Sequence, residues 1–301
     1  MYYKHSGRFT LGGLLLGLLA GGASAPLLAY AYAHGLILIP DTHLAALATI
    51  AFGALVGLAV GGGLVWGKVR NQPVTWAAAG VLSTVALYLS WAMWVPTVLE
   101  SEHLEGVHWL ALAQHPRALW HMISVINQYG TWSTDNGPAT KGMELWVIWA
   151  AEAVGVIGSA VLVAYELMNY RPFCETCENW CSGSATLLLA VPQNVPQLKR
   201  QLEANDLRPL EALGPGLKGG SHLKIKSNSC DRCRQFDTIS VTHCVVTQNR
   251  WRQTRITNRK IIQHLAVKAG QVETLRHLSE KIAQAQKISA PKVNASAAGK
   301  P

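Results

Sequence analysis

Four long apolar segments, separated by shorter polar ones, dominate the first half of the chain. They run from Phe9 to about Ala33, from Leu44 to Trp66, from about Val74 to Leu99 and from Leu145 to about Met168. A membrane-spanning helix needs about 20 apolar residues, and each segment is long enough. The pattern therefore predicts an α-helical membrane domain of four transmembrane helices over residues 1–168.

The first apolar segment could also be a secretory signal peptide. It has a basic start and a cleavage-like triplet, Ala23-Ser24-Ala25. However, Pro26 would directly follow the cut, and the apolar run continues beyond it. We therefore favour a retained transmembrane segment.

The basic residues between the apolar segments predict the orientation of the chain. Lys4 and Arg8 precede the first segment, Lys68 and Arg70 separate the second from the third, and Arg171 follows the fourth. The opposite flanks carry mainly acidic residues. Because basic flanks remain in the cytoplasm, we expect both termini there.

The loop at residues 100–143, predicted to face outward, carries a helical pattern and several histidines. From Pro116 onward, apolar residues recur at helical spacing, which indicates an amphipathic helix on the outer membrane surface. We interpret the histidines as interfacial side chains, because their spacings match no metal-ligand pattern. They are His103, His108, His115 and His121.

Two stripes of glycine, each with a spacing of four residues, indicate close helix packing. The stripes are Gly13, Gly17 and Gly21 in the first segment, and Gly53, Gly57 and Gly61 in the second. Small residues at this spacing let helix backbones approach each other in a membrane. Two alternatives remain: packing of the first two spans against each other, or an interface between two copies of the chain.

Glu152 lies well inside the fourth apolar segment, whose other charged residue, Glu166, is next to its end. A carboxylate at that depth is costly unless it faces other helices or water. It is therefore either a structural acid bonded to a neighbouring helix or the working group of a proton or cation pathway.

The distribution of charge and cysteine separates the chain into two parts. Residues 1–168 contain six Lys/Arg and eight Asp/Glu, a net charge of −2. Residues 169–301 contain twenty and nine, a net charge of +11, and all six cysteines. The second part is therefore predicted to be a basic, water-soluble cytoplasmic domain.

Two Cys-x-x-Cys pairs predict a metal site in the cytoplasmic domain. Cys174 and Cys177 form the first pair, and Cys230 and Cys233 form the second. Four thiolates at this spacing suit one tetrahedral structural zinc ion, although iron also binds such a set. Disulfides are disfavoured in the reducing cytoplasm, and no strand–helix repeat supports a redox role.

The two remaining cysteines, Cys181 and Cys244, are interpreted as non-ligands.

The segments Phe173-Cys174-x-x-Cys177 and Asn228-Ser229-Cys230-x-x-Cys233 resemble the two knuckles of a zinc ribbon. The pairs are farther apart than in compact ribbons, which implies an inserted element. The order of four spans, a Pro-Phe-Cys-x-x-Cys knuckle, Trp180 and a distant second knuckle also resembles uncharacterised bacterial inner-membrane proteins. That second resemblance covers most of the chain and implies no activity.

The remaining periodicity predicts a small α+β domain over residues 169–287. Expected elements are an inserted helix from Leu198 to Leu213 interrupted by Pro209, strands at His222–Lys226, Phe236–Val246 and Ile261–Val267, and a helix at Gln271–Ala285. The polar, proline-containing residues 288–301 are predicted to be disordered.

A basic cluster in the soluble part is a candidate contact for lipid headgroups or nucleic acid. It consists of Arg250, Trp251, Arg252, Arg255, Arg259 and Lys260.

Motifs of phosphate-binding loops, serine hydrolases and zinc proteases do not occur in the chain, so an enzyme is disfavoured. We expect a membrane-anchored scaffold or regulatory protein that lies in the lipid bilayer. Its zinc-stabilised domain would bind a cytoplasmic protein or, less favoured, nucleic acid. A transporter or channel component that uses Glu152, with the zinc domain as gate or sensor, is the alternative, and self-association into a homo-oligomer is compatible with both.

Overall fold

The computed structural model describes residues 1–39, 41–101, 108–131, 139–216, 219–248 and 254–289. The chain forms two compact units. One comprises Ser6–Tyr170, and the other comprises Met1–His5 together with Arg171–Pro301.

The first unit is helical. Its described helices are α1 (Leu11–Ile37), α2 (Thr42–Trp66), α3 (Gln72–Ser101), α4 (Trp109–Gln114), α5 (Pro116–Tyr129) and α6 (Met143–Asn169). Helices α1, α2, α3 and α6 are long and apolar enough to cross a membrane, as the sequence predicts. The first two begin at capping side chains: Thr10 accepts a hydrogen bond from the N–H of Gly13, and Asp41 accepts one from that of Leu44.

The two glycine stripes are used for packing within the chain. The stripe of α2 lies against α6, where a Cβ added at Gly57 would overlap the backbone of Ala160. The stripe of α1 lies against the end of α2, where Gly13 and Gly67 are in direct contact. Packing of the first two spans against each other therefore accounts for the stripe of α1, whereas the stripe of α2 serves the fourth span.

Helix α5 begins at Pro116, where the sequence predicts an amphipathic helix, while its position on the membrane surface stays a prediction. Its apolar residues Leu119, Ile123 and Ile126 are buried in a cluster with residues of α3 and α6, including Val95 and Trp149. The apolar stripe of this helix is therefore covered by other helices of the unit. Residues 102–107 and 132–138 of the same loop lie outside the described part of the chain.

The second unit is a small α+β domain, as predicted, and it contains two sheets. Its strands are β1 (Phe173–Cys174), β2 (Asn179–Trp180), β3 (Ser182–Leu189), β4 (His222–Ser229), β5 (Asp237–Gln248) and β6 (Thr254–Val267). Its helices are α7 (Val195–Glu203), α8 (Arg208–Glu211) and α9 (Gln271–Ser289). Strands β1 and β2 form a hairpin, and the others form an antiparallel sheet in the order β3-β4-β5-β6.

One apolar core holds the larger sheet and the helices together. Alternate strand residues such as Leu187, Ile225 and Val241 point to the same face and are buried with Leu202 of α7 and Leu275 of α9. Burial of each such side chain contributes about 1.5–3 kcal/mol to folding. The helices therefore cover one face of the sheet.

Several boundaries differ from the predictions. The predicted helix from Leu198 to Leu213 is two helices, because Pro209 lies in the first turn of α8 and Asn205 adopts a positive φ of 61° between them. Strand β3 was not predicted, and β6 begins at Thr254 instead of Ile261. Residues 290–301, most of the predicted disordered tail, lie outside the described residues.

The first residues of the chain belong to this sheet domain. The N–H of Tyr3 donates to the carbonyl of His264 at 2.8 Å, and the N–H of Ala266 donates to the carbonyl of Met1 at 2.9 Å. Met1–Tyr3 thus add a short antiparallel segment to the edge of β6, centred on the pair Tyr2 and Leu265. The hydroxyl of Tyr2 also donates to Glu203 on α7, at 2.6 Å.

Candidate metal centre

The first cysteine pair lies at the tip of the β1–β2 hairpin. Phe173 pairs with Trp180 and Cys174 pairs with Asn179, so the four residues between the strands form a tight turn that carries Cys177. Glu178, directly after Cys177, has a positive φ of 49°, a value that residues other than glycine adopt rarely.

The second cysteine pair repeats this arrangement at the turn between β4 and β5. The N–H of Cys230 donates to the carbonyl of Phe236 at 3.1 Å, and the N–H of Arg234 donates to the carbonyl of Cys230 at 2.9 Å. Arg234 directly follows Cys233 and has a positive φ of 52°. Each pair is therefore held in a hairpin turn that ends on a left-handed residue.

The two turns bring four sulfur atoms together. The Sγ atoms of Cys174, Cys177, Cys230 and Cys233 all lie within 4.8 Å of one another. Cys174 Sγ and Cys233 Sγ are 3.8 Å apart. A tetrahedral ion with sulfur ligands at about 2.3 Å has edges of about 3.8 Å between ligands, so the arrangement fits one such ion. Among the described residues, the four predicted ligands thus form the predicted cluster.

The acidity of the thiols also favours a cation at this place. A hydrogen bond with Cys233 raises the pKa of Cys177 to about 12, and burial raises the pKa of Cys174. The backbone N–H of Gln235 lowers the pKa of Cys233 to about 7. Without a cation, the four thiols cannot all ionise at this distance, whereas a bound divalent ion would hold all four as thiolates.

Aromatic side chains from the start of the chain support the first turn. The hydroxyl of Tyr3 accepts a hydrogen bond from the N–H of Phe173 at 3.0 Å, and its ring contacts Phe236 at 5.5 Å between centroids. The ring of His5 contacts Trp180 at 5.8 Å. Phe236 packs on the cysteine cluster itself. The sequence analysis missed Tyr3 and His5, because nothing in a pattern links them to cysteines some 170 residues later.

The two other cysteines lie outside the group of four sulfurs. Cys181 is fully buried beside the cluster, where burial and the neighbouring thiols raise its pKa to about 12. Cys244 lies on β5 opposite His222 of β4. Neither belongs to the group of four sulfurs.

Glu152 contacts a neighbouring helix. Its carboxylate accepts a hydrogen bond of 2.7 Å from the hydroxyl of Tyr32 on α1, and that hydroxyl lies 2.8 Å from the hydroxyl of Thr49 on α2. Tyr32 is fixed by stacking on Phe52, with ring centroids 4.4 Å apart. Three helices thus meet at a polar cluster, which supplies a partner for the carboxylate inside an apolar unit.

The structure places only part of the predicted basic cluster. Arg255, Arg259 and Lys260 are exposed on β6, while Arg250, Trp251 and Arg252 lie outside the described residues.

The loop histidines form no metal-ligand group in the described part of the chain. His108, His115 and His121 are exposed, and His103 lies outside that part.

No protein family model, curated protein or solved structure matches this chain. The likeness to a zinc ribbon is therefore carried by the two cysteine turns alone.

Proposed function

We propose that the protein is a multi-pass inner-membrane protein whose cytoplasmic domain is held together by one structural Zn²⁺ and binds a protein or nucleic-acid partner. The observation that carries the proposal is the cluster of four thiols at the tips of two hairpins. Four thiolates leave no open position for water or substrate, which is typical of a structural site and not of a catalytic one.

The ion would tie together the two cysteine turns at one end of the domain. The core of the domain is one layer of apolar side chains between a four-stranded sheet and helices α7, α8 and α9. The free energy of binding a structural metal adds to the free energy of folding. The cysteine turns close one end of the sheet, so loss of the ion would open the ends of β4 and β5.

The topology supports a common side for both ends of the chain. Four crossings return the chain to the side from which it started. Met1–His5 belong to the same unit as the residues from Arg171 onward, which supports a common side. The basic flanks of the apolar segments favour the cytoplasm.

The experiment is in-cell cross-linking and affinity purification of the full-length protein. The variants are Cys230→Ser, which removes one ligand, and Cys244→Ser, a matched change elsewhere in the sheet. We expect a reproducible partner with the wild type and Cys244→Ser, but not with Cys230→Ser. Recovery of the same bound molecules with the wild type, Cys244→Ser and Cys230→Ser would contradict a partner-binding role of the zinc domain.

The cluster of Glu152, Tyr32 and Thr49 favours a second candidate function. It places a carboxylate and two hydroxyls where three helices meet, as in a proton or cation pathway. In liposomes, a transporter would lose proton-coupled flux on Glu152→Gln and retain its fold. Flux that is unchanged, or absent in the wild type, would leave Glu152 with a structural role.

A further inference from the structure

Strands β5 and β6 extend beyond the rest of the sheet as a two-stranded arm. The last pair of β4 with β5 joins His222 and Cys244. Beyond it, residues 245–248 of β5 pair only with residues 254–257 of β6 among the described residues. Four residues of strand span about 14 Å. We call residues 242–248 and 254–260 the arm; its outer four pairs are two-stranded, and its inner pairs at Arg259 and Lys260 adjoin β4.

The arm and the strand that continues from it carry positive charge and no acid. Between Asp237 and Glu273 the chain has six Lys/Arg and no Asp or Glu. Every residue of β6 from Thr254 to Lys260 is exposed. A surface of this kind attracts polyanions.

The cations lie on both faces of the ribbon. Arg255 and Arg259 are four residues apart on one strand, so they share a face, and they pair with Thr247 and His243. Lys260 is directed to the opposite face, next to Thr242 of β5 and, one strand farther, Lys224 of β4. A flat anionic surface could contact only one of these faces at a time.

The arm lies at the opposite end of the sheet from the cysteine turns. Strand β5 begins beside the second turn and ends at the tip of the arm, about 37 Å away at about 3.4 Å per residue. The chain leaves the domain at His5 and at Arg171. The ring of His5 contacts Trp180, which pairs with Phe173 beside the first cysteine turn, and Arg171 comes two residues before Phe173. The arm and the cysteine turns therefore lie at opposite ends of the same sheet.

We propose that the arm binds the phosphate backbone of double-stranded nucleic acid. The proposal rests on the partner-binding function proposed above and names the class of partner. The major groove, about 12 Å wide, accepts a two-stranded ribbon and has phosphates on both sides, which matches cations on both faces. Because a two-stranded ribbon fits the groove of a duplex, we name a duplex as the partner.

The test uses the full-length protein in nanodiscs of neutral lipid, with a fluorescent 20-base-pair DNA duplex measured by anisotropy over a salt series. The arm variant is Arg255→Gln/Arg259→Gln/Lys260→Gln. The control variant, Arg200→Gln/Arg276→Gln/Lys281→Gln, removes the same charge from exposed positions on α7 and α9. Unchanged thermal unfolding of both variants shows that neither loses its fold.

We expect the arm variant to bind the duplex at least about tenfold more weakly and the control variant to bind within about twofold of the wild type. The slope of log K against log salt should become shallower by about 2.7 when three phosphate contacts are lost. Absence of duplex binding at low salt, or an equal loss in both variants, would overturn the proposal.

Two further results would overturn the proposal by identifying another class of partner. One is binding to vesicles of anionic lipid, lowered in the arm variant, without binding to DNA. The other is complete competition by polyglutamate at equal charge, which would indicate an acidic protein. If the protein does not bind the DNA duplex but cross-linking still recovers a partner that requires Cys230, the proposed function stands without this inference.

Discussion

The hydroxyl of Tyr3 accepts a hydrogen bond from the backbone N–H of Phe173, the residue directly before the first cysteine of the metal centre. The same hydroxyl lies 3.0 Å from Nδ1 of His5. The first five residues are thus a structural part of the metal-bearing domain, although the whole helical unit separates them from it in sequence. This contact orients the turn that carries Cys174 and Cys177.

We predict that Tyr3→Phe weakens metal binding without unfolding the helical unit. The substitution keeps the ring against Phe236 but leaves the N–H of Phe173 without its acceptor. Groups that orient metal ligands typically contribute about 10–100-fold to affinity, so metal release to a chelator should be about tenfold faster. Tyr129→Phe, a change on an exposed residue of α5, is the control and should have no effect. Equal release rates would show that Tyr3 has no influence on the centre.

The left-handed residues after each cysteine pair lead to a second prediction. Replacing Arg234 with glycine should stabilise the metal-loaded domain by about 1 kcal/mol, because glycine adopts a φ of 52° without steric cost. Thermal unfolding of the metal-loaded protein measures the change. Gln235→Gly, one residue later and without a positive φ, should be neutral or destabilising. Destabilisation by Arg234→Gly would mean that contacts of the Arg234 side chain stabilise the domain by more than the backbone strain at its positive φ destabilises it.

The packing of α2 on α6 leads to a third prediction. Gly57→Val should destabilise the helical unit by about 1–3 kcal/mol, because the new side chain would overlap the backbone of Ala160. Gly62→Val, on the same helix, has no atom within 4 Å of the added Cβ and should be tolerated. Unfolding in detergent, followed by tryptophan fluorescence, distinguishes the two. Equal stability of both variants would contradict the observed α2–α6 contact.

The sequence predicted the features that depend on composition and local spacing. Four helices long and apolar enough to cross a membrane and the cluster of Cys174, Cys177, Cys230 and Cys233 follow from hydrophobic length and from paired cysteines. Strands around the second turn were also predicted, because Ile239 and Val241 alternate with polar residues.

Features that depend on distant contacts were not predicted. Met1–Tyr3 join the edge of β6 through backbone hydrogen bonds, which leave no signature in the side-chain pattern. Strand β3 combines small residues with a short leucine run, which does not alternate clearly. The glycine stripe that includes Gly57 predicted a close helix–helix contact but not which helix makes it. Any helix with small residues can pack there, and in the structure the contact is with Ala160 of α6.

The most direct measurement is the metal content of the full-length protein purified in detergent, by elemental analysis. We predict one zinc ion per chain in the wild type and in Cys244→Ser. In Cys230→Ser, the ion and the folded structure of the sheet domain should be lost together during purification, because three thiolates and a water bind zinc more weakly than four thiolates. Wild-type protein without metal, or Cys230→Ser that retains its zinc, would contradict the four-thiolate centre, and iron in place of zinc would contradict the assignment of the ion.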